Sequence, residues 1–168
     1  MIAAFSMSAM TLAGCGFQPL YAENLQVAPQ LAAIVLDMPA SRTGQLLREE
    51  LEDELAIIST ETPKYRLIVS LQERRFPRGL RVDDTANRYE QRLTANYRLV
   101  DLATGRRLTA GIRPVSVTYD VSDQPYAGVI AAQDGQERAA SEAARIIRTD
   151  LMRFFAGRTA PVTPGRRG

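Results

Sequence analysis

The chain has 168 residues, of which 45% are hydrophobic and 24% are charged, and its net charge is +2. This length and composition predict one folded domain rather than a disordered chain, and so small a net charge gives no indication of a nucleic-acid partner. The sequence contains no histidine, which excludes Ser-His-Asp and Cys-His catalysis and most catalytic zinc sites. It also lacks a glycine-rich phosphate-binding loop, so we expect neither an enzyme nor a metal or other cofactor site.

Arginine dominates the basic residues, since all 21 of them except Lys64 are arginines. A guanidinium group binds phosphates and carboxylates with two parallel hydrogen bonds, so this bias is compatible with anionic partners. The simpler explanation, which the count alone favours, is a genomic bias toward arginine codons.

Residues 1–14 carry no charge and end at the only cysteine of the sequence, Cys15. They are too few to span a bilayer, which takes about 20 apolar residues, and are typical of a secretory signal peptide, although a positively charged start is missing. Leu12-Ala13-Gly14-Cys15 matches the bacterial lipobox. That resemblance implies cleavage before Cys15, a diacylglycerol on its sulfur and an N-acyl group such as palmitate, which together anchor a protein stably. The alternative is a buried apolar segment with one core cysteine.

The chain after the signal peptide begins with a predicted lipidated tether, residues 15–30, interrupted by proline and polar residues. An apolar run over 32–38 predicts a short strand. Ser41 or Thr43 can cap a helix that continues to about Ile58. Its apolar residues recur at helical spacing and so share one face: Leu47, Leu51, Leu55 and Ile58.

Two long stretches alternate between apolar and polar residues, with a period of two that predicts half-buried strands. The first spans 64–76 and the second spans 86–101. Residues 77–85 between them predict a loop, and Leu102-Ala103-Thr104-Gly105 predicts a hairpin turn. In the returning strand the apolar parity changes at Arg113-Pro114, where we expect a bulge or an edge position.

The last predicted element is a helix from about Tyr126 to Ala156, with an apolar stripe at helical spacing. Gly135 weakens its middle by about 1 kcal/mol relative to alanine and suggests a kink. Gly157 is expected to end the helix, and residues 158–168, rich in proline, glycine and arginine, are expected to form a disordered tail.

The element order β-α-β-β-β-α predicts a single α+β domain over 31–157. Its simplest arrangement is a two-layer sandwich, with a four-stranded mixed sheet and both helices on one face. The other face of the sheet is then polar and rich in arginine. It is expected to carry Arg66, Arg74, Arg88, Arg92 and Arg98, beside Gln72, Glu73 and Glu90.

Three features together resemble one known family. Cys15-Gly16-Phe17-Gln18-Pro19-Leu20-Tyr21 is similar to the start of the mature chain in the LPS-assembly lipoproteins of the LptE family, in the alphaproteobacterial form. The element order matches that family along nearly the whole remaining chain. Pro125-Tyr126-Ala127, before an alanine-rich helix with Arg138 and Arg145, is similar to its C-terminal region. The first feature is fairly specific, and the other two support it.

The resemblance implies an outer-membrane lipoprotein, anchored through Cys15 and facing the periplasm. Such a protein plugs the LptD β-barrel, assists assembly of lipopolysaccharide (LPS) in the outer leaflet and binds LPS. A barrel lumen is polar, so a polar sheet face suits a plug. Because guanidinium groups bind phosphates well, the candidate LPS or barrel contacts are Arg66, Arg88, Arg92 and Arg98. The simpler interpretation of any one of them is a solvated residue in a cross-strand ion pair.

Two other functions are left open by the sequence. One is an accessory lipoprotein of another envelope lipid-transport system, which would not co-purify with LptD. The other is a membrane-tethered enzyme that works with carboxylates alone, for which the best candidates are Asp83 and Asp84, with Asp101 or Asp120. Adjacent aspartates in a loop more often form a solvated turn, so we favour a binding protein over an enzyme.

Overall fold

The computed structural model describes residues 24–57, 62–80, 86–121 and 125–159. The chain forms, in order, α1 (Asn24–Ala32), β1 (Ile34–Asp37), α2 (Arg42–Glu54), β2 (Tyr65–Leu80), β3 (Ala86–Asp101), β4 (Arg107–Asp120) and α3 (Pro125–Thr159). The strands form one sheet in the order β1-β2-β3-β4, with β1 parallel to β2 and the other neighbours antiparallel. The predicted α+β class and the four-stranded mixed sheet are confirmed.

The core lies between one face of this sheet and the helices. Strand alternation turns the odd-numbered residues of β2, β3 and β4 toward the helices, and Leu67, Leu93 and Leu99 are fully buried there. On α3 the core residues are small at first and larger toward the C-terminus: Ala139, Ala140, Ala143, Ala144, Ile147, Leu151 and Phe155. Small side chains allow the helix to lie close to the sheet.

The folded domain begins earlier than predicted. Residues 24–32, assigned to the tether from the sequence, form α1, and Val27 and Leu31 belong to the core. These two residues are four apart and therefore share one helix face, and burial of that face in the core holds α1 against the rest of the domain. The domain consequently includes residues 24–30, which the sequence analysis assigned to the tether, and its described part contains three helices rather than two. The rest of the tether, Cys15 and the signal sequence lie outside the described residues.

The start of α2 confirms the predicted cap. Ser41 is the N-cap, and its hydroxyl accepts a hydrogen bond from the N–H of Gly44 at 3.1 Å. A side chain at Gly44 would place its Cβ 2.1 Å from the carbonyl oxygen of Pro39, so only glycine fits there. The leucines of the predicted stripe are buried, whereas Ile58 lies outside the described residues.

The central strands and their turn agree with the sequence apart from the end of β2. This strand continues to Leu80 through irregular pairing at Pro77–Leu80, where a loop was predicted. The hairpin turn after β3 is confirmed: the Asp101 carboxylate accepts hydrogen bonds from the N–H groups of Thr104 (2.9 Å) and Ala103 (3.0 Å), and Gly105 has a φ of 68°. The hydrogen bonds from Thr104 and Ala103 hold the pKa of Asp101 below its ordinary value.

β4 is an edge strand, as one of the two predicted alternatives stated, but the bulge is not at Arg113-Pro114. Pairing with β3 is regular through that point, and the irregularity falls at Leu99–Val100 instead. Arg113 occupies a position on the helix side of the sheet, where it donates to Asp150 of α3 at 2.6 Å. The apolar parity changes in the sequence because the inward positions before Val115 hold Thr109, Gly111 and Arg113, whereas the apolar Ala110 and Ile112 face outward.

α3 is one helix of 35 residues that ends at Thr159 rather than before Gly157. Gly135 has a packing role in it, since an added Cβ would lie 2.9 Å from the ring of Tyr119. In the described part of the chain, no helix combines the length and hydrophobicity needed to cross a membrane. Residues 160–168 of the predicted tail are outside it.

Candidate functional site

The open face of the sheet is the face turned away from the helices. It is made by Val35 and Asp37 of β1 and by even-numbered residues of the other strands, and the irregular pairing at the start of β4 adds Arg107. It carries Arg66, Ile68, Ser70, Gln72, Arg74 and Phe76 from β2, Arg88, Glu90, Arg92, Thr94, Asn96 and Arg98 from β3, and Ala110, Ile112, Ser116 and Asp120 from β4. All four candidate arginines lie on this face, as the alternation predicted. They belong to two regions with different surroundings, which we call the paired half and the cationic half.

One residue predicted for the open face lies elsewhere. Glu73 pairs with Leu93 across the β2–β3 ladder and therefore faces the helices. Its carboxylate accepts hydrogen bonds from Gln91 of β3 at 3.0 Å and Gln136 of α3 at 3.1 Å. Glu73 has an odd number, like the other helix-facing residues of β2, so the alternation itself assigns it to the helix side.

The paired half contains Phe76, Arg78, Arg88, Glu90, Arg92 and Asp120. Arg88 lies directly opposite Asp120 and donates to its carboxylate at 2.7 Å. Arg92 donates to one oxygen of Glu90 at 2.8 Å, and Arg78 forms an ion pair with the other oxygen. Each arginine of this half thus has a carboxylate partner, although Arg78 and Arg92 share one, Glu90.

The arginine partners lower the pKa values of the carboxylates in the paired half. Hydrogen bonds from Arg92 and Arg78 lower the pKa of Glu90 to about 2, and the hydrogen bond from Arg88 lowers the pKa of Asp120. The guanidinium groups of Arg92 and Arg78 also lie 5.0 Å and 5.9 Å from the ring centroid of Phe76, within cation–π range. These ion pairs consequently persist at any physiological pH.

The cationic half contains Arg66, Ile68, Arg98, Arg107, Ala110 and Ile112. Among the described residues, no carboxylate lies within ion-pair distance of any of its three arginines. Arg98 has Ile68 as its neighbour on β2 and Ala110 as its neighbour on β4, and both are apolar. Arg98 therefore faces no carboxylate across either ladder, and Asp37, which lies beside Ile68 on β1, is not within ion-pair distance of it.

A hollow of about 490 Å³ lies in the cationic half. Its polar lining includes Arg98, Arg107 and Asn96, and its apolar lining includes Ile68 and Ile112. The side chain of Ile112 is 63% exposed, although the sequence pattern assigned it to the apolar face of its strand. A surface that offers guanidinium donors beside apolar groups suits a ligand that is both anionic and apolar.

Sequence reasoning missed Arg107 and Ile112. Ile112 could have been found, because the even-numbered positions from Pro114 to Asp120 are otherwise polar or proline, and one unbroken parity along β4 puts Ile112 with them. Arg107 carried no such signal, since the irregular pairing at Leu99–Val100 decides where it points.

The carboxylates proposed for an enzyme do not converge. Asp101 sits in the hairpin turn opposite Tyr65, whereas Asp120 lies at the other end of the sheet opposite Arg88. Asp83 and Asp84 lie outside the described residues. Within those residues, no group of three or more cysteine, aspartate or glutamate side chains is arranged to hold a metal ion.

Comparisons with known proteins point to one family. A family model described as LptE, lipopolysaccharide-assembly, matches residues 28–154. The chain is similar to a lipoprotein from Caulobacter crescentus CB15 of known crystal structure, with 46% sequence identity and a TM-score of 0.70, over 80% of this chain and 98% of that one.

More distant solved structures share the fold. A minor lipoprotein from Acinetobacter baumannii is 19% identical with a TM-score of 0.55, over 78% of this chain and 96% of that one. Lipoprotein B from Nitrosomonas europaea is 14% identical with a TM-score of 0.56, over 73% of this chain and 83% of that one. No curated protein matches significantly in sequence.

Proposed function

The chain belongs to the LptE family of lipopolysaccharide-assembly lipoproteins, and we propose that it acts at the outer membrane in complex with the LptD β-barrel and binds LPS through the cationic half. We further propose that acyl groups on Cys15 anchor it there, facing the periplasm. The proposal assigns the chain no catalytic step. Its role is to hold LPS and to occupy the barrel while LPS passes to the outer leaflet.

The observation that carries LPS binding is the absence of carboxylate partners around Arg66 and Arg98 among the described residues. LPS presents phosphates beside acyl chains. A guanidinium group without a partner can donate two hydrogen bonds to a phosphate at once. Arg88 would first have to leave Asp120, and the released carboxylate would then repel the phosphate. Of the four arginines selected from the sequence, we therefore assign LPS contact to Arg66 and Arg98.

The paired half supports the proposed place inside a barrel. Each of its arginines is paired with a carboxylate at the surface, and Arg88 and Arg92 are hydrogen-bonded to theirs. The lumen of a membrane barrel is polar, so a surface of this kind can lie against it without burying an uncompensated charge. The two halves would then have separate tasks, with the cationic half for LPS and the paired half for the barrel wall.

Charge reversal on the two halves tests the assignment. Arg66→Glu/Arg98→Glu and Arg88→Glu/Arg92→Glu change net charge equally, so each is the control for the other. Binding of purified LPS to the complete chain is expected to weaken about tenfold or more in the first variant and far less in the second. Equal losses would show that only net charge matters, and unchanged binding in the first variant would remove the cationic half from the proposal.

Two measurements on cell-derived protein test the compartment and the partner. Mass spectrometry is expected to find the chain beginning at Cys15 with diacylglycerol and an N-acyl group attached. Affinity purification from outer membranes is expected to recover LptD in stoichiometric amount. Recovery of a different envelope lipid-transport complex would favour the alternative of an accessory lipoprotein for that system.

A further inference from the structure

The apolar residues of the cationic half do not form a continuous surface. Arg66 lies between Val35 of β1 and Val100 of β3, just as Arg98 lies between two apolar neighbours. In the described part of this half, no two apolar residues lie directly opposite each other across any ladder of the open face. An acyl chain needs a continuous apolar path, and here a guanidinium or another polar group would interrupt that path from strand to strand.

Ser70 of β2 and Asn96 of β3 form a neutral polar pair inside the hollow of the cationic half. They lie directly opposite each other across the β2–β3 ladder, and both line the hollow. Among the described residues, neither side chain has a hydrogen-bond partner. A hydroxyl and an amide can each donate and accept hydrogen bonds, which is the capacity that binding the hydroxyl groups of a sugar requires.

The charged and apolar neighbours of this pair fit the same class of ligand. Arg98 comes two residues after Asn96 on the same strand, so the guanidinium and the amide are neighbours on the open face. Ile112 lies opposite Asn96 on β4 and also lines the hollow. An isolated apolar side chain offers enough area for the C–H face of one sugar ring, although too little for an acyl chain. The hollow thus combines donors for phosphate, partners for hydroxyl groups and isolated apolar contacts for a ring.

We propose that the hollow recognises a phosphorylated sugar and makes no essential contact with acyl chains. Because LPS is the ligand of the proposed function, on which this inference rests, the portion of LPS held here is its phosphorylated sugar. Arg98 and Arg107 bind phosphate, while Ser70 and Asn96 bind hydroxyl groups of the sugar that carries it. The selectivity of the site then depends on the neutral pair as well as on charge.

Binding of three ligands to the complete chain tests which portion is recognised. The ligands are LPS dispersed in a neutral detergent, the same LPS after alkaline removal of its acyl chains, and this deacylated LPS after phosphatase treatment. We expect removal of the acyl chains to change Kd by less than about threefold, and removal of the phosphates to weaken binding about tenfold or more. If intact LPS binds and deacylated LPS does not, the proposal is overturned while the proposed function stands. Failure of intact LPS to bind would contradict both.

Two matched double variants test the role of the neutral pair. Ser70→Ala/Asn96→Ala removes the pair inside the hollow, and the control, Gln72→Ala/Thr94→Ala, removes the neutral pair that lies opposite each other one row along, outside the hollow. Deacylated LPS is expected to bind about tenfold more weakly to the first variant and as tightly as before to the second. Urea denaturation checks that both variants remain folded. Equal binding of deacylated LPS to the two variants would overturn the assignment of the sugar to this pair.

Discussion

The two halves of the open face use the same residue type in the same alternating pattern and yet differ in charge state. In the paired half, Arg88 lies opposite Asp120, whereas in the cationic half Arg98 lies between Ile68 and Ala110. What distinguishes the arginines is therefore the residue that the register places across the ladder. A surface that is merely basic in sequence becomes one region whose arginines are ion-paired and one region whose arginines can bind an anion.

An ion pair on the helix side of the sheet shows what burial adds. Asp150 of α3 accepts hydrogen bonds from Arg113 of β4 at 2.6 Å and Tyr97 of β3 at 2.8 Å, and its side chain is only 12% exposed. Burial acts to raise the pKa of Asp150, but the hydrogen bonds from Arg113 and Tyr97 outweigh it and hold that pKa below its ordinary value. This cluster joins α3 to the sheet, while the ion pairs of the paired half lie within the sheet.

The largest expected effect on stability comes from breaking that cluster. Asp150→Ala removes the acceptor shared by Arg113 and Tyr97 and leaves both donors without it in a partly buried site. We expect the free energy of unfolding to fall by about 2 kcal/mol, measured by urea denaturation. The control is Asp120→Ala on the paired half, where the side chain is 70% exposed and little change is expected. Equal losses of unfolding free energy in the two variants would mean that burial does not make the Asp150 ion pair more stabilising than the Asp120 ion pair.

The next largest effect, on LPS binding, is expected when a carboxylate is introduced beside the unpaired arginines of the cationic half. Ala110→Glu places a carboxylate directly opposite Arg98 and reproduces the arrangement of the paired half. LPS binding is expected to weaken about tenfold, because the new carboxylate competes with phosphate for the guanidinium group. Ala110→Gln adds the same bulk without charge and is expected to bind LPS nearly as the native chain does. If both variants bind equally, carboxylate pairing is not what separates the two halves.

The reverse change should have a smaller effect. Asp120→Asn leaves Arg88 without its carboxylate partner and so adds an unpaired guanidinium group to the open face, outside the cationic half. We expect LPS binding to strengthen by about two- to threefold, because one additional surface arginine contributes less than an arginine beside an apolar hollow. Measurement in low and high salt should confine the gain to low salt. A variant that binds LPS no better would show that the hollow, and not the free charge, defines the site.

Much of this architecture was predictable because its signals are local. Ser41 and the leucines after it predict α2, and the alternation of β2 and β3 places Arg66 and Arg98 on the same face. Parity failed in the first half of β4, because Thr109, Gly111 and Arg113 occupy inward positions while Ala110 and Ile112 face outward. Which arginines are paired could not be predicted, because Asp120 is 32 residues from Arg88 and only the register brings them together.

The smallest expected effect is the acid sensitivity of the paired half. The pKa of Glu90 is lowered from 4.5 to about 2 by Arg92 and Arg78, so its ion pairs stabilise the fold fully above pH 4.5 and lose that contribution as the pH falls toward 2. Glu90→Gln removes this contribution at every pH. The native chain and the variant should therefore differ in their urea midpoints at pH 6 and converge near pH 2, whereas a constant difference would mean that Glu90 stabilises the sheet by packing rather than by charge.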